Sequence, residues 1–410
     1  TYTLEYNFVM ENYKCGSVGI IGSGIQGVCI GLQLIKKGVP VTLFDRNDPL
    51  SHEFKPASYG NAGHFSPYAV LQLNRPDVLY DVPKMLLSSY GPLALKWNYV
   101  PKMIKWFFHY LKNTNEKSML HTAKYMHQIL NLSNDAYEEI FREINISGLV
   151  EKKGIIYVWT NKNLKSRELE IKVRNDLGIK QKLLTQSEVL DLEPNLAPVF
   201  DAGIIYENAM HARDPHGILK EIFKLFVKKG GKFIQTNISE IKQINNQETV
   251  VKSNTCKYHY EKLVIATGAF SKKLTDQLGE KIPLDTERGY HIHFKNQQSL
   301  INRPVIFLDR GFGMTPMNQG LRAVGTVELG GLNNPPSKKR IDYVHRCAKE
   351  LLPQLGSHDD EWMGFRPTLP DFLPILGPSL KNKNIIYAFG HQHLGWTLGA
   401  VTGKIISGIV

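Results

Sequence analysis

Apolar positions run through this chain in two rhythms, short continuous runs and helical spacing, and the order in which they alternate is informative. Ser17–Ile21 is a short apolar run; Val28–Lys37 repeats apolar residues at helical spacing and stops near Gly38; Val39–Phe44 is a second apolar run, closed by Asp45. The pattern predicts strand, turn, helix, strand. Further along, Lys262–Ile265 reads as a strand running into the small-residue turn Ala266–Ala269. Asn384–Phe389 reads as a buried strand, and the small and apolar residues of Thr397–Ile409 have the length of a helix. Strand-rich segments lie at Gly154–Thr160, Arg288–Phe294 and Gly311–Leu329, the last interrupted by the hairpin residues Asn318-Gln319-Gly320. Thr1–Tyr13 shows no clear period and is expected to be a tail.

The turn between the first strand and the first helix is Gly22-Ser23-Gly24-Ile25-Gln26-Gly27. A lone glycine pattern arises in loops by chance, but here the strand before it, the helix after it and the acid at the end of the next strand all stand in order. Gly22 permits the tight turn, Gly24 lets a phosphate approach the backbone, and Gly27 lets the helix pack on the sheet. The helix N-terminus presents unpaired N–H groups and a positive dipole end to a pyrophosphate. Asp45 sits where an acid hydrogen-bonds a ribose. The unit is therefore expected to bind a dinucleotide.

At 410 residues the chain is long enough for two cooperating domains. Fifty basic against 38 acidic residues give a net charge of +12, but the lysines are scattered. No nucleic-acid module or arginine cluster accompanies them, which argues against a nucleic-acid partner. No apolar run approaches the roughly 18 residues of a membrane span, and no signal-peptide pattern opens the sequence, so a cytoplasmic protein is expected. Cys15, Cys29, Cys256 and Cys347 are far apart and suggest neither a zinc site nor a disulfide framework.

Seven motifs in order resemble one family. They are the glycine turn, Ala57-Ser58-Tyr59-Gly60-Asn61-Ala62-Gly63-His64, Asp214-Pro215 before a helix, Ala266-Thr267-Gly268, Glu287-Arg288-Gly289-Tyr290, Gly364-Phe365-Arg366-Pro367-Thr368-Leu369-Pro370-Asp371, and Gly390-His391-Gln392-His393-Leu394-Gly395-Trp396. From Ser17 to Val410 the chain resembles the D-amino acid oxidase superfamily of FAD-dependent oxidoreductases, and within it the bacterial D-amino acid and D-hydroxyproline dehydrogenases. The resemblance implies an α/β (α+β) protein: a Rossmann-like FAD-binding domain over 14–68, 205–282 and 362–410, with an inserted mixed-sheet substrate domain over 69–204 and 283–361. It implies FAD as cofactor, contacted by Gly22, Gly24, Ile25, Gln26, Gly27, Asp45, Arg46, Ser58, Asn61, Ala62, Gly63, Thr267, Gly268 and Ala269. The C-terminal loop, through Gly390, His391, His393, Leu394, Gly395, Trp396 and Thr397, is expected to face the flavin, its helix N-terminus stabilising negative charge there.

Reactions of this family take a hydride from the α-carbon of an amino or imino acid and leave an imine that water hydrolyses to a keto acid. The protein's task is positioning. A carboxylate is best gripped by a planar guanidinium. Arg366, stiffened by Pro367 and Pro370, is the first candidate; Arg288 is the second, sharing a strand face with Tyr290, Ile292 and Phe294, so that Arg288 and Tyr290 are expected to point together into the pocket. Tyr290 reads equally as packing. His64, after a run of small residues, reads either as a polar group on the flavin face or as a structural histidine; histidine here resembles the branch that takes cyclic imino acids. His391 and His393 lack the further ligands a metal needs, so no metal is expected. Sarcosine-like amines, glycine, 2-hydroxy acids, or a role as the flavin subunit of a larger dehydrogenase are the alternatives.

The electron acceptor is open between dioxygen, a quinone and a partner subunit. Lys102, Lys105, His109 and Lys112 recur at helical spacing among Met103, Trp106, Phe107, Phe108, Tyr110 and Leu111. A basic, aromatic amphipathic helix suits a peripheral contact with the inner face of the cell membrane, where quinones reside; a helix of the inserted domain packing its apolar face inward is the plainer reading of the same pattern.

Overall fold

A computed structural model describes residues 11–14, 18–73, 75, 76, 82, 91–161, 164–245 and 248–410. Cys15, Ser17 and residues 1–10 of the expected tail lie outside the described residues.

The first apolar run forms the strand Val18–Ile21 at the centre of a six-stranded sheet. In spatial order the strands are Lys232–Gln235, Val41–Asp45, Val18–Ile21, Lys262–Ile265, Ile385–Phe389 and Ile375–Pro378. The first five are parallel and the last is antiparallel. The strands read as unbroken apolar runs because both faces are covered. Ile20, Leu43, Val264, Ile386 and Ala388 face the helices Ile25–Lys36, Pro215–Lys228 and Gly395–Ile409. Ile21, Phe44, Leu263, Ile265, Tyr387 and Phe389 face an antiparallel layer built from Glu240–Asn245, Glu248–Lys252 and Cys256–Tyr260. Small residues on the last helix admit the first one closely: a methyl group at Gly403 would stand 2.7 Å from the Cys29 carbonyl oxygen. Glu11–Lys14, within and just beyond the stretch expected to be a tail, pairs parallel with Cys256–Tyr260.

A second, mixed sheet carries Asp360–Thr368, Asp285–Lys295, Gly320–Leu329, Phe312–Met317, Val305–Phe307, Ile155–Trp159, Ala202–Tyr206 and Lys182–Thr185 in that spatial order. The segment 311–329 is the expected hairpin, turning at Asn318-Gln319. The helix Lys338–Leu351 closes one face of this sheet over Tyr290, Ile292, Phe294, Met314 and Ala323. A short three-stranded sheet joins His64–Phe65, Met210–Ala212 and Val150–Glu151 in that spatial order.

Candidate active site

A cavity of about 780 Å³ opens at the carboxyl ends of the parallel strands, where open α/β sheets take their ligands. That volume falls in the roughly 300–1,000 Å³ range of cofactor and small-molecule sites. Ile21 and Gly22, Phe44 to Arg46, Ala266 to Ala269 and His391 to Thr397 wall it on one side; Tyr157, Gly289, Val324, Met363 and Arg366 of the mixed sheet wall it on the other.

The glycine turn has the shape its three jobs require. Gly22 holds a left-handed φ of +103°, and a methyl there would lie 2.5 Å from the Ala266 carbonyl oxygen. A methyl at Gly27 would lie 1.8 Å from the Gly22 carbonyl oxygen. At Gly24, by contrast, the nearest atom is the Ser58 Oγ at 3.4 Å, so this glycine leaves open space on the cavity wall. Ser58 Oγ accepts from the Ile25 N–H at 3.0 Å, and the Asp45 carboxylate accepts from the Ser23 N–H at 2.8 Å. Gln26 Nε2 donates to the Gly395 carbonyl at 2.6 Å, tying the first helix to the last loop.

Several buried polar atoms on this wall have no partner among the described residues: Gln26 Oε1, both amide atoms of Gln392 and Trp396 Nε1. Unsatisfied groups of this kind are costly unless something else satisfies them. Together with the space at Gly24 they fit the dinucleotide implied by the motifs. Of the expected cofactor residues, Gly27, Gly63 and Gly390 stand behind the wall and shape it. Gly63 and Gly390 hold φ of +75° and +87°, with Ala212 O and Leu369 Cδ1 too near for any side chain. Arg46 lies on the wall with its guanidinium 4.9 Å from the Phe270 ring centroid. Thr397 Oγ1 accepts from the Ser66 N–H and donates to the His64 carbonyl, joining the last helix to the His64 segment. His391 turns away to Thr402 Oγ1 at 3.1 Å, and burial pushes its imidazole down to about 3. His393 opens onto the cavity, held near 4 by burial and by the charge of Arg366.

On the mixed-sheet side, the strands Asp285–Lys295 and Asp360–Thr368 place Glu287 opposite Arg366, Gly289 opposite Gly364, and His291 opposite Trp362. Directly opposed residues share a face. The two glycines leave a trough into which both neighbours fold. A methyl at Gly289 would meet Arg366 Nη2 at 2.3 Å, and one at Gly364 would meet the Trp362 ring at 2.0 Å. Arg366 Nη1 donates to the Thr326 carbonyl at 2.9 Å. Thr326 sits in a bulge, since Arg288 faces Glu328 while Tyr290 faces Gly325, and its φ of +66° is a strained value for a β-branched residue. The bulge aims that carbonyl at the guanidinium.

Arg288 and Tyr290 are not on the cavity wall, contrary to the expectation from their spacing. Both are fully buried on the opposite face of their strand, the face that Ile292 and Phe294 carry into the core beneath Lys338–Leu351. Arg288 pairs with Glu328 at 3.2 Å and donates to the carbonyls of Asn334 and Pro335; Tyr290 donates to Glu328 at 2.5 Å and accepts from the Ser337 N–H. They are a buried anchor for the loop 330–337. Period two correctly groups them, but the partner strand decides which group looks at the cavity.

His64 does line the cavity. Thr315 donates its hydroxyl proton to the Ala62 carbonyl at 3.0 Å, so it accepts from His64 Nε2–H at 2.7 Å, which leaves Nδ1 as the lone-pair nitrogen. Burial, and then the neighbouring His211, push the ring down to about 3, so it is neutral at physiological pH. Sequence reasoning did not find Thr315, Thr326, Glu287 as a member of the arginine's surroundings, or Trp362. Only the alternation Trp362, Gly364, Arg366 hinted at a shared face.

Comparison with known proteins bears on the whole chain. The family model described as FAD dependent oxidoreductase matches residues 17–409. A D-amino-acid oxidase of Bradyrhizobium diazoefficiens is 31% identical over 396 residues, covering 95% of this chain and 94% of that protein. A D-amino acid dehydrogenase of Vibrio atlanticus is 26% identical over 412 residues, covering 95% of each. Among solved structures, a glycine oxidase from Geobacillus kaustophilus matches with a TM-score of 0.73 at 20% identity, over 97% of this chain and 95% of that one, which speaks for the fold alone.

Proposed function

Because this chain belongs to the family of FAD-dependent oxidoreductases, and so is an FAD enzyme, we propose that it oxidises the α-carbon of a D-amino acid or cyclic D-imino acid held by its carboxylate on Arg366. The observation that carries this reading is the guanidinium itself, set in the glycine trough on the cavity wall and oriented by the Thr326 carbonyl. When bound, FAD would supply the hydride acceptor, and the substrate would leave as an imine that water converts to a keto acid.

The chain's own residues supply the holding and the positioning. Gly22, Gly24 and the start of the first helix would hold the pyrophosphate and Asp45 the ribose, while Gln26 Oε1 and the two amide atoms of Gln392 would offer unsatisfied polar atoms to the cofactor. Arg366 orients the acid through paired hydrogen bonds. His64, neutral and presenting the Nδ1 lone pair, accepts a hydrogen bond from the substrate nitrogen; an imidazolium there would repel it. Arg366 suits any α-carboxylate, so glycine, N-methyl amines and 2-hydroxy acids compete as substrates. Anaerobic bleaching of the bound flavin over D-amino, L-amino, N-methyl, cyclic imino and hydroxy acids separates them. If no D-amino or D-imino acid bleaches the flavin, the substrate reading is wrong, and a flavin subunit of a larger assembly takes its place.

For the acceptor, a membrane quinone is supported by the helix Val100–Asn113. Met103 and Trp106 pack inward, while Ile104, Phe108 and Leu111 are 61%, 70% and 53% exposed beside the exposed Lys102, Lys105 and Lys112. An apolar stripe rimmed with lysines suits an anionic lipid surface. Among the described residues no helix is long and apolar enough to cross a membrane; the contact proposed is peripheral. Co-sedimentation with anionic liposomes that persists after all three lysines become glutamate would dismiss it.

A further inference from the structure

Arg366 has a neighbour that the reaction as proposed leaves without a task. Glu287 stands directly opposite it in register, so the two side chains share the face that carries the glycine trough. Glu287 is 4% exposed, and its carboxylate makes no hydrogen bond or ion pair among the described residues. The guanidinium spends one donor on Thr326 and lies across Gly289, two residues from Glu287 on the same face.

The other charged groups nearby are already engaged or neutral. Asp285, on the same strand face, is tied to the Tyr99 hydroxyl and the Thr286 N–H, with Lys272 acting on it. His291 is kept neutral and hydrogen-bonds the Gly60 carbonyl. His393 faces Arg366 from the C-terminal loop and is also neutral. Arg288 and Lys96 both pair with Glu328 on the reverse face. Among the described residues Arg366 is thus the one charge that acts appreciably on Glu287. Burial lifts the Glu287 carboxyl to about 7, and the guanidinium limits the rise.

Resting on the reading that Arg366 takes the substrate carboxylate, we propose that Glu287 is the counter-charge that sets the strength of that grip, and that Glu287 takes up a proton from solvent as a carboxylate seats on the guanidinium. With Glu287 ionised, an incoming carboxylate would place two buried anions against one cation; protonating Glu287 restores one against one. The only bond made is O–H on Glu287, and nothing is oxidised. Glu287 is a positioning residue, acting through Arg366.

The sign follows from a raised carboxyl. Below neutral pH Glu287 is already protonated and carboxylate affinity is level; above about 7 affinity falls by about tenfold per pH unit. The test is titration of the oxidised holoenzyme with propionate, which lacks an amine to oxidise, by calorimetry in two buffers of different ionisation enthalpy. At pH 7.5 the wild type should take up about three-quarters of a proton per propionate bound, and it should bind about tenfold more weakly at pH 8 than at pH 6. Glu287→Gln should show no uptake and a flat profile, and at pH 8 should bind propionate about tenfold more tightly than wild type. A merely structural glutamate would instead give a variant that binds more weakly with an unchanged pH slope, and that result overturns the proposal. So does zero proton uptake by the wild type, a measurement that requires no variant. If Arg366→Met binds propionate as well as wild type, the carboxylate reading of Arg366 fails, and this inference goes with it; loss of binding in Arg366→Met without proton uptake in the wild type removes the inference alone.

Discussion

Gly24 and Gly27 lie three residues apart in one turn, and substituting alanine at each should separate cofactor binding from folding. At Gly27 the added methyl would stand 1.8 Å from a carbonyl oxygen of the backbone, well inside contact distance, so the first helix must shift by more than 1 Å against the strand it follows. Overpacking of this kind costs about 1–3 kcal/mol and more when the obstacle is backbone. At about 2 °C per kcal/mol for a chain of this size, the apoprotein of Gly27→Ala should melt about 5 °C or more below wild type. At Gly24 the backbone has an extended φ of −64° and the nearest atom is 3.4 Å away, so alanine fits the empty protein without strain. It should leave the apoprotein melting temperature unchanged or slightly raised, because the unfolded chain loses freedom. The same methyl would occupy the space proposed for the phosphate. Losing one charge-assisted hydrogen bond worth about 1.5–3 kcal/mol weakens FAD by roughly 10- to 150-fold. The assay is a thermal melt of both apoproteins alongside FAD titration followed by flavin fluorescence. A Gly24→Ala protein with wild-type FAD affinity would refute the placement of the pyrophosphate, and an unshifted Gly27→Ala melt would refute the packing.

Other changes have separable outcomes. Arg366→Ala should keep the yellow chromophore and lower the second-order rate of flavin reduction by at least about tenfold, measured by anaerobic stopped flow, since a charge-assisted pair is lost. Glu328→Ala should leave Arg288 buried and unpaired, lowering stability by about 3–5 kcal/mol in urea denaturation, while propionate affinity of the folded enzyme changes little. Glu170 is buried among Arg75, Arg167 and Arg174, whose charges outweigh its burial and hold its carboxyl down to about 2. Its stabilising effect is therefore present above the ordinary carboxylate range and is lost as pH falls towards 2, so Glu170→Gln should flatten the acid limb of a melting-temperature profile.

Local patterns revealed the nucleotide half of this molecule well. The strand, glycine turn, helix and acid stand within thirty residues of one another, and each feature is enforced by its immediate neighbours. The C-terminal loop and helix were legible for the same reason. The substrate side was harder. Alternation along Asp285–Lys295 says that Arg288 and Tyr290 point the same way, but the direction is set by Gly289 and Gly364 meeting across two strands more than seventy residues apart, and by a helix that claims the other face. The bulge at Thr326 left no local mark, because a threonine occupies a backbone conformation that glycine or asparagine would have advertised. The pairing of Glu11–Lys14 with Cys256–Tyr260 was equally invisible, since it depends on a strand edge supplied from a distant part of the chain. The exposed face of Val100–Asn113 was only half legible: helical spacing found the lysines, whereas the inward turn of Met103 and Trp106 followed from the surface they pack on.

The bond from Gln26 to the Gly395 carbonyl has a consequence for biogenesis. During translation the glycine turn and its helix emerge 369 residues ahead of the loop that accepts this amide, and the strand Ile385–Phe389 that covers the outer edge of Lys262–Ile265 comes just before that loop. Until then the nascent parallel sheet carries a bare apolar edge and half a nucleotide cleft. Flavin loading should therefore be a late event, and a ribosome-stalled chain ending before residue 385 should remain colourless and depend on chaperones however much free FAD surrounds it.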